Sequence, residues 1–318
     1  AESVCADHGH DHFTEKESEI ADWLLKIRAV EDTIRTGSGK QVYLKPFTMK
    51  EALRLRKANS GAILIQGSTD ISLRQTKNKE PLPKIIDLSG VGELSFIRKE
   101  KDRIIFGAGT SLERIREFSE NNLLPLYNIL KVFGSLQIRN LATIGGNIGS
   151  ASPIGDTLPL LFALGAEVTL TSLTASRTIP IDGFITGYRK TLLAKDELIT
   201  EVAIPLPDPV SRISTFKVSR RRDMDIATVS AAFLIRISDG VIRDIALVYG
   251  GMAAMVKHAR EAEAFLKGRP WTREVAEGAM KIVENEFEPI ADARSGAGFR
   301  RRAAASLLMK LYLETSAL

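Results

Sequence analysis

The stretch LQIRNLATIGGNIGSASPIGDTLP, residues 136–159, decides the fold of this sequence. Between two apolar segments it places three glycines and a series of small polar side chains within eight residues of Thr143. Adjacent glycines let the backbone approach an anion closely because they carry no Cβ. An ordinary connecting loop does not need this composition, so the stretch indicates a loop for an anion or a cofactor. Asp156 is a candidate to bind a ribose or ribityl hydroxyl.

A second stretch, ILIQGSTDI at residues 63–71, has a related pattern. A buried strand over 62–65 runs into a small polar loop whose backbone N–H groups and hydroxyls can point at a diphosphate. Taken alone, the pattern also fits a tight turn after a strand. The sequence Gly107-Ala108-Gly109 does not make a dinucleotide fingerprint, because Leu112 occupies the place of the third glycine.

Length and composition place the chain among soluble globular proteins. Its 318 residues correspond to about two domains at ~150 residues each. The net charge of +5 is mild and its acids and bases are mixed, apart from Arg220–Arg222 and Arg300–Arg302, so we expect no nucleic-acid partner. No apolar run approaches the ~18 residues of a membrane span, so we expect no membrane.

The cysteine content bears on the redox chemistry. The single cysteine, Cys5, excludes intrachain disulfides and fits a cytoplasmic protein. An iron–sulfur cluster needs about four thiolates, so this chain is expected to carry none. Cys5 with His8, His10 and His12 could bind a metal, but a flexible solvated tail is the favoured interpretation because nothing fixes their geometry, and we expect no metal site.

Periodicity and turn signals divide the chain into four parts. Residues 1–40 comprise a tail followed by an amphipathic helix over 14–36. Residues 41–95 form a first βα unit, residues 96–210 form a second unit, and residues 211–318 form a third. In the first βα unit, Thr48 followed three residues later by Glu51 predicts a capped helix start. In the third, Asp239-Gly240 between two alternating runs predicts a β-hairpin. Three helices are predicted after it, over 257–267, 272–286 and 294–315. The fold class is therefore α+β.

The chain resembles the FAD-binding small subunit or domain of the xanthine dehydrogenase family of molybdenum hydroxylases. The resemblance is carried by the two glycine-bearing stretches at 63–71 and 136–159, by GYRKTLL at 187–193 with the following ELI, and by FKVSRRRDMDIATVSAAF at 216–233. The resemblance runs in order over residues 40–318. It implies a two-subdomain FAD-binding fold of the vanillyl-alcohol-oxidase type followed by a C-terminal α+β domain. The segment DHFTEKESEIADWLL also resembles the link to the iron–sulfur domains in bacterial small subunits, which implies that those domains lie upstream or on another chain.

The resemblance also implies site residues. Leu64, Ile65, Gln66, Gly67, Ser68, Thr69, Asp70 and Ile71 would wrap the FAD diphosphate, and Thr143, Gly146 and Asn147 would form its second wall. Phe133 would stack on the flavin ring, Asp156 would bind the polar stem, Ile199 would line the pocket, and Lys217 would contact the flavin end. Tyr188, Asp223 and Asp225 match positions near a nicotinamide face, although Met224 stands where related dehydrogenases can carry an acid. Catalytic residues stay unassigned.

The function implied is electron transfer. Non-covalently held FAD would receive electrons from [2Fe-2S] clusters on another domain or subunit and pass them to NAD, within a hetero-oligomer that includes a molybdenum-cofactor subunit. Two alternatives stay open: a stand-alone FAD oxidoreductase, and a non-catalytic assembly subunit that has lost FAD. The substrate of the molybdenum partner and the oligomeric state cannot be read from these residues.

Overall fold

The computed structural model describes residues 12–28 and 32–316, so Cys5, His8 and His10 lie outside the described residues. Helix α1 spans His12–Arg28. The helix predicted over 14–36 is therefore too long, because residues from Ile34 onward pair as a strand. The side chains of Ile20, Trp23 and Leu24 on α1 are exposed.

The first subdomain is a small mixed sheet covered by helices. The strand order is β1-β2-β4-β3, with β1 antiparallel to β2 and the other neighbours parallel. Strand β1 thus places residues 34–38 with this sheet. The elements are β1 Ile34–Ser38, β2 Gln41–Lys45, α2 Met49–Ala58, β3 Ile63–Ile65, α3 Ser72–Thr76 and β4 Lys84–Asp87.

Helix α2 begins where the sequence predicts. The Thr48 hydroxyl accepts a hydrogen bond from the backbone N–H of Glu51, which satisfies one of the free donors at the helix start. Leu53 and Leu55 pack into a core with Leu44 and Ile86 of the sheet. The predicted capping residue is therefore confirmed.

The second subdomain has a five-stranded antiparallel sheet of order β5-β6-β11-β7-β8. Short helices lie between its strands, and a two-stranded hairpin, β9 with β10, leads into its central strand. The elements are β5 Ile97–Lys99, β6 Arg103–Gly107, α4 Leu112–Ser119, α5 Leu124–Lys131, α6 Leu136–Leu141, α7 Ile144–Gly149, α8 Leu158–Ala163, β7 Glu167–Thr171, β8 Ser176–Pro180, α9 Ile181–Phe184, β9 Ile185–Gly187, β10 Lys190–Thr191 and β11 Leu198–Pro205.

The C-terminal domain is an antiparallel sheet of order β12-β13-β14-β15 with three helices. The predicted hairpin is confirmed: Asp239 and Gly240 have φ of 53° and 70°, as a two-residue turn of mirror-image type requires. The elements are β12 Arg212–Val218, β13 Val229–Ser238, β14 Val241–Gly250, β15 Lys257–His258, α10 Arg260–Leu266, α11 Arg273–Glu286 and α12 Ala297–Thr315.

The C-terminal sheet packs on both faces. Ala232 and Val248 on one face join the core of the second subdomain, where α8 lies against β13 and β14. The opposite face, including Phe233 and Tyr249, packs against α10–α12. The hydrophobic core therefore continues from the second subdomain into the C-terminal domain. None of the helices among residues 12–28 and 32–316 is long and apolar enough to cross a membrane.

A buried arginine ties the first two subdomains together. Arg56 on α2 is 7% exposed. It donates hydrogen bonds to the carbonyls of Glu197 (3.3 Å) and Ala194 (3.5 Å) in the second subdomain. It also donates to the carbonyl of Ala62 (3.1 Å) in the first. Burial lowers the pKa of Arg56, and Asp196 acts against that shift.

We predict that Arg56→Gln lowers the free energy of unfolding by about 2–3 kcal/mol, because several buried carbonyls lose their donor. Arg54→Gln on the same helix is the matched control, since the Arg54 side chain is 58% exposed and should cost less than about 0.5 kcal/mol. Urea unfolding of the three proteins measures both values. Equal losses for the two variants would contradict the role of Arg56.

Candidate functional site

A cavity of about 480 Å³ lies where the first two subdomains meet the C-terminal domain. Its volume is within the ~300–1,000 Å³ range of small-molecule sites. Every residue that the sequence assigns to FAD lines this cavity, apart from Lys217. Asp225 also lines it, whereas Tyr188 and Asp223 do not.

The first polar loop is held against the end of helix α6. A Cβ on Gly67 would lie 1.7 Å from the carbonyl oxygen of Leu141, so only glycine permits this approach. Ser68 follows in the left-handed region with φ 57°. This close packing brings the two polar loops of the sequence to one cavity wall.

The backbone N–H groups of residues 67–71 lack acceptors. None of these five consecutive groups donates a hydrogen bond to any residue in the described part of the chain. All five residues line the cavity. A run of unsatisfied N–H donors along a concave loop is a typical binding surface for phosphate oxygens.

The Gly-Gly stretch differs from the loop that the sequence predicts. Residues 144–149 form the short helix α7, and the hydroxyl of Thr143 caps it by accepting from the N–H of Gly146 at 3.1 Å. The N–H of Gly145 donates to the carbonyl of Ala108 at 2.8 Å. These backbone donors are already satisfied within the protein, so this wall offers side chains instead.

Asn147 supplies one such side chain. Its Oδ1 accepts from the hydroxyl of Thr157, which orients the amide and leaves Nδ2 without an acceptor among the described residues. The structure therefore places a fixed amide donor of helix α7 in the same cavity lining as the first loop, and Ser150 adds a hydroxyl to that lining.

Asp156 and Lys217 form a buried ion pair behind the cavity wall. The Nζ of Lys217 lies 2.7 Å from Oδ2 of Asp156, and the two side chains are 5% and 8% exposed. Burial raises the pKa of Asp156, although the neighbouring Lys217 acts to lower it. The other carboxylate oxygen, Oδ1, is buried and has no hydrogen-bond donor among the described residues. Lys217 thus acts on the cavity through Asp156.

The turn that carries Phe133 is held by two cations. Lys217 donates to the carbonyl of Val132 at 2.8 Å. Arg139 donates to the carbonyls of Phe133 (3.0 Å) and Gly134 (3.3 Å). Burial raises the pKa of Glu113, but hydrogen bonds from Arg116 and Arg139 outweigh that effect and hold the pKa below its usual value. Phe133 is therefore fixed at the cavity by three consecutive anchored carbonyls.

Two further segments close the cavity. The rim loop, residues 219–227, contributes Met224 through Ala227 to the lining. Arg189, next to the exposed Tyr188, binds the carboxylate of Asp70 with Nη1–Oδ2 at 2.7 Å, which links the β9–β10 hairpin to the first loop. Sequence reasoning missed Leu88, Ile138, Ile154 and Leu193 of the apolar lining, because apolar residues carry no chemical signal outside the fold.

The fold and the cavity define a binding site for a phosphate-bearing cofactor between two subdomains and a C-terminal domain. Comparison with known families gives the identity. Residues 35–207 match the FAD binding domain in molybdopterin dehydrogenase, and residues 214–315 match the CO dehydrogenase flavoprotein C-terminal domain. The chain therefore belongs to the family of flavoproteins of the molybdopterin dehydrogenases.

Relatives agree with this assignment. Xanthine dehydrogenase/oxidase of Gallus gallus is 31% identical over 287 residues, which is 86% of this chain and 21% of that protein. The chain thus spans about a fifth of that relative. Nicotinate dehydrogenase FAD-subunit of Eubacterium barkeri is 29% identical, and the match covers 86% of this chain and 95% of the subunit. These relatives are oxidoreductases.

A solved structure shows the same fold. A chain of carbon monoxide dehydrogenase from Hydrogenophaga pseudoflava matches with a TM-score of 0.81 at 27% identity, covering 86% of this chain and 96% of that one. The α+β class and the two-subdomain FAD-binding fold with its C-terminal domain, expected from the sequence, are thereby confirmed. The family resemblance stated above is confirmed as well.

We predict that Gly146→Val folds but weakens FAD binding at least about tenfold, equivalent to ~1.4 kcal/mol. A Cβ there has only the Thr143 hydroxyl within 4 Å, at 3.0 Å, so the added side chain fits the fold while it occupies cavity wall. Fluorescence titration with FAD measures the affinity.

Gly145→Val is the matched control. Its Cβ would lie 2.6 Å from the Cβ of Ala108, so this variant should lower the thermal unfolding midpoint, whereas Gly146→Val should leave it close to wild type. Unchanged FAD affinity in a folded Gly146→Val protein would show that this wall does not contact the cofactor.

Proposed function

We propose that this chain holds FAD non-covalently in the cavity and acts as an electron-transfer component of a xanthine dehydrogenase-like molybdenum hydroxylase. The observation that carries the proposal is the row of five N–H groups from Gly67 to Ile71 without acceptors. It lies in the same cavity as the buried, unpartnered Oδ1 of Asp156. A diphosphate joined to a polyhydroxyl stem offers phosphate oxygens as acceptors for the N–H groups of residues 67–71. Its stem offers hydroxyl donors to Oδ1 of Asp156.

Each residue of the site has a role in this arrangement. The N–H groups of residues 67–71 bind the diphosphate, and the amide of Asn147 donates to it from helix α7. Asp156 accepts from a hydroxyl of the stem, and Phe133 packs against the ring system. When bound, FAD supplies the redox chemistry that accepts electrons singly and delivers them in pairs.

The protein's part is to hold and tune that group. The ion pair with Lys217 favours the ionised form of Asp156 against the burial that raises its pKa, and the free Oδ1 can accept from the ligand. Ile199 and Leu193 add apolar walls that keep solvent away. Within the described residues there is no group of three or more His, Cys, Asp or Glu that could hold a metal.

We further propose that the electrons come from [2Fe-2S] clusters on another domain or subunit, and that a molybdenum-cofactor subunit performs the substrate chemistry in the cytoplasm. The support is that this region is about a fifth of one relative and a separate FAD-subunit in another, and that the matching family is named for molybdopterin dehydrogenase. NAD is the proposed acceptor, with the rim residues Met224 and Asp225 at the cavity and Tyr188 exposed near it.

The test uses the purified chain, reconstituted with FAD. We expect one FAD per chain, released into the supernatant on acid denaturation. Failure to bind FAD would support a non-catalytic assembly subunit, and flavin that stays with the denatured protein would contradict non-covalent binding.

Anaerobic rapid mixing then separates the redox roles. We predict that NADH bleaches the flavin absorbance of the FAD-loaded chain and that xanthine does not, because xanthine oxidation requires the absent partner. Rapid bleaching by xanthine alone would favour a stand-alone oxidoreductase. Absence of bleaching by NADH would exclude NAD as the acceptor.

A further inference from the structure

The rim loop is tied to the C-terminal domain by an exposed arginine. The Nε of Arg220 donates to the carbonyl of Arg294 at 3.2 Å, and its Nη2 donates to the carbonyl of Ala293 at 2.9 Å. These contacts span more than 70 residues of sequence and join the loop to the turn over residues 292–295. We call this turn the brace turn.

The brace turn is itself firmly anchored. The carboxylate of Asp292 accepts from the backbone N–H of Arg294 at 2.9 Å and of Ser295 at 3.2 Å. It also pairs at 2.9 Å with Nη2 of Arg300, whose side chain is 3% exposed on helix α12. Turn and helix therefore form one connected unit.

Arg300 reaches the end of the rim loop as well. Its Nη1 donates to the carbonyl of Gly251 at 3.1 Å and to that of Thr228, the residue directly after the loop. One buried guanidinium thus fixes both the brace turn and the strand that leaves the rim loop. Arg220 adds the corresponding tie near the start of the loop.

The rim loop needs such ties because its own conformation is strained. Met224 has φ 53°, in the left-handed region that a bulky side chain rarely occupies, and it is 62% exposed. The loop's internal contacts are local, such as the ion pair of Arg221 with Asp225 at 3.5 Å. Local contacts do not fix the position of a loop relative to the cavity, whereas Arg220 does.

We infer that Arg220 is a positioning residue for the cofactor cavity: by binding the brace turn it holds the rim loop where residues 224–227 form cavity wall. The inference deepens the proposed function and rests on it for the identity of the ligand. The restraint on the loop itself is independent of any ligand.

The test compares Arg220→Gln with Arg269→Gln in the full chain. Arg269 is a matched control, because it is also exposed and donates to a backbone carbonyl, that of Phe265 at 2.7 Å, away from the cavity. Limited trypsin digestion of the protein without FAD measures cleavage after Arg221 and Arg222, which both variants keep. FAD titration measures affinity, and thermal unfolding checks that both variants are folded.

We expect Arg220→Gln to raise cleavage in the rim loop about tenfold, because the strained loop loses its tie and opens. The dissociation constant for FAD should rise at least about threefold, since only the closed fraction binds fully. Arg269→Gln should match wild type, and Arg220→Lys, which retains one donor to the brace turn, should lie between.

Unchanged cleavage in Arg220→Gln would overturn the inference, and so would faster cleavage with unchanged FAD affinity. If wild type binds no FAD, the proposed function fails. In that case the cleavage comparison alone decides whether Arg220 restrains the loop.

Discussion

The buried ion pair between Lys217 and Asp156 is the interaction on which the site depends. Each charge alone would be costly to bury, and each is tolerated because the other lies 2.7 Å away. Lys217 comes from β12 of the C-terminal domain, whereas Asp156 follows helix α7 in the FAD-binding part. The pair therefore forms only when both domains are folded together, and the same Nζ anchors the turn before Phe133.

The two glycine-bearing stretches contribute to the cavity by different physical means. The first leaves its backbone donors without protein acceptors, so an anion bound there gains a row of N–H donors. The second satisfies its donors internally and uses its glycines for close packing, as the contact of Gly145 with Ala108 shows. The first stretch therefore offers backbone donors to a ligand, and the second forms a rigid part of the cavity wall.

Sequence patterns predicted what local chemistry determines. Rules that act over a few residues predict the capping Thr48, the Asp239-Gly240 hairpin and the strand before the first polar loop, and the structure has them. The two polar loops of the cavity were found from their small polar residues clustered around glycine, and the family resemblance supplied further lining residues such as Phe133 and Ile199. What binds them remains a proposal.

Long-range effects could not be predicted in this way. Helix α7 forms within a stretch that looks like a loop because Thr143 caps it and Ala108 accepts from Gly145. Lys217 pairs with Asp156, which lies 61 residues earlier in the chain. Arg220 binds Ala293, which lies 73 residues later. No local pattern encodes such pairs.

Hydrogen–deuterium exchange with and without FAD tests the central claim most directly. Peptides that cover residues 67–71 should exchange rapidly in the protein without FAD and become protected when FAD is added, because their N–H groups gain phosphate acceptors. Peptides over 144–147 should be slow in both states, since those donors are already bonded. Protection over 67–71 that does not change with FAD, in a protein shown to bind it, would contradict the account.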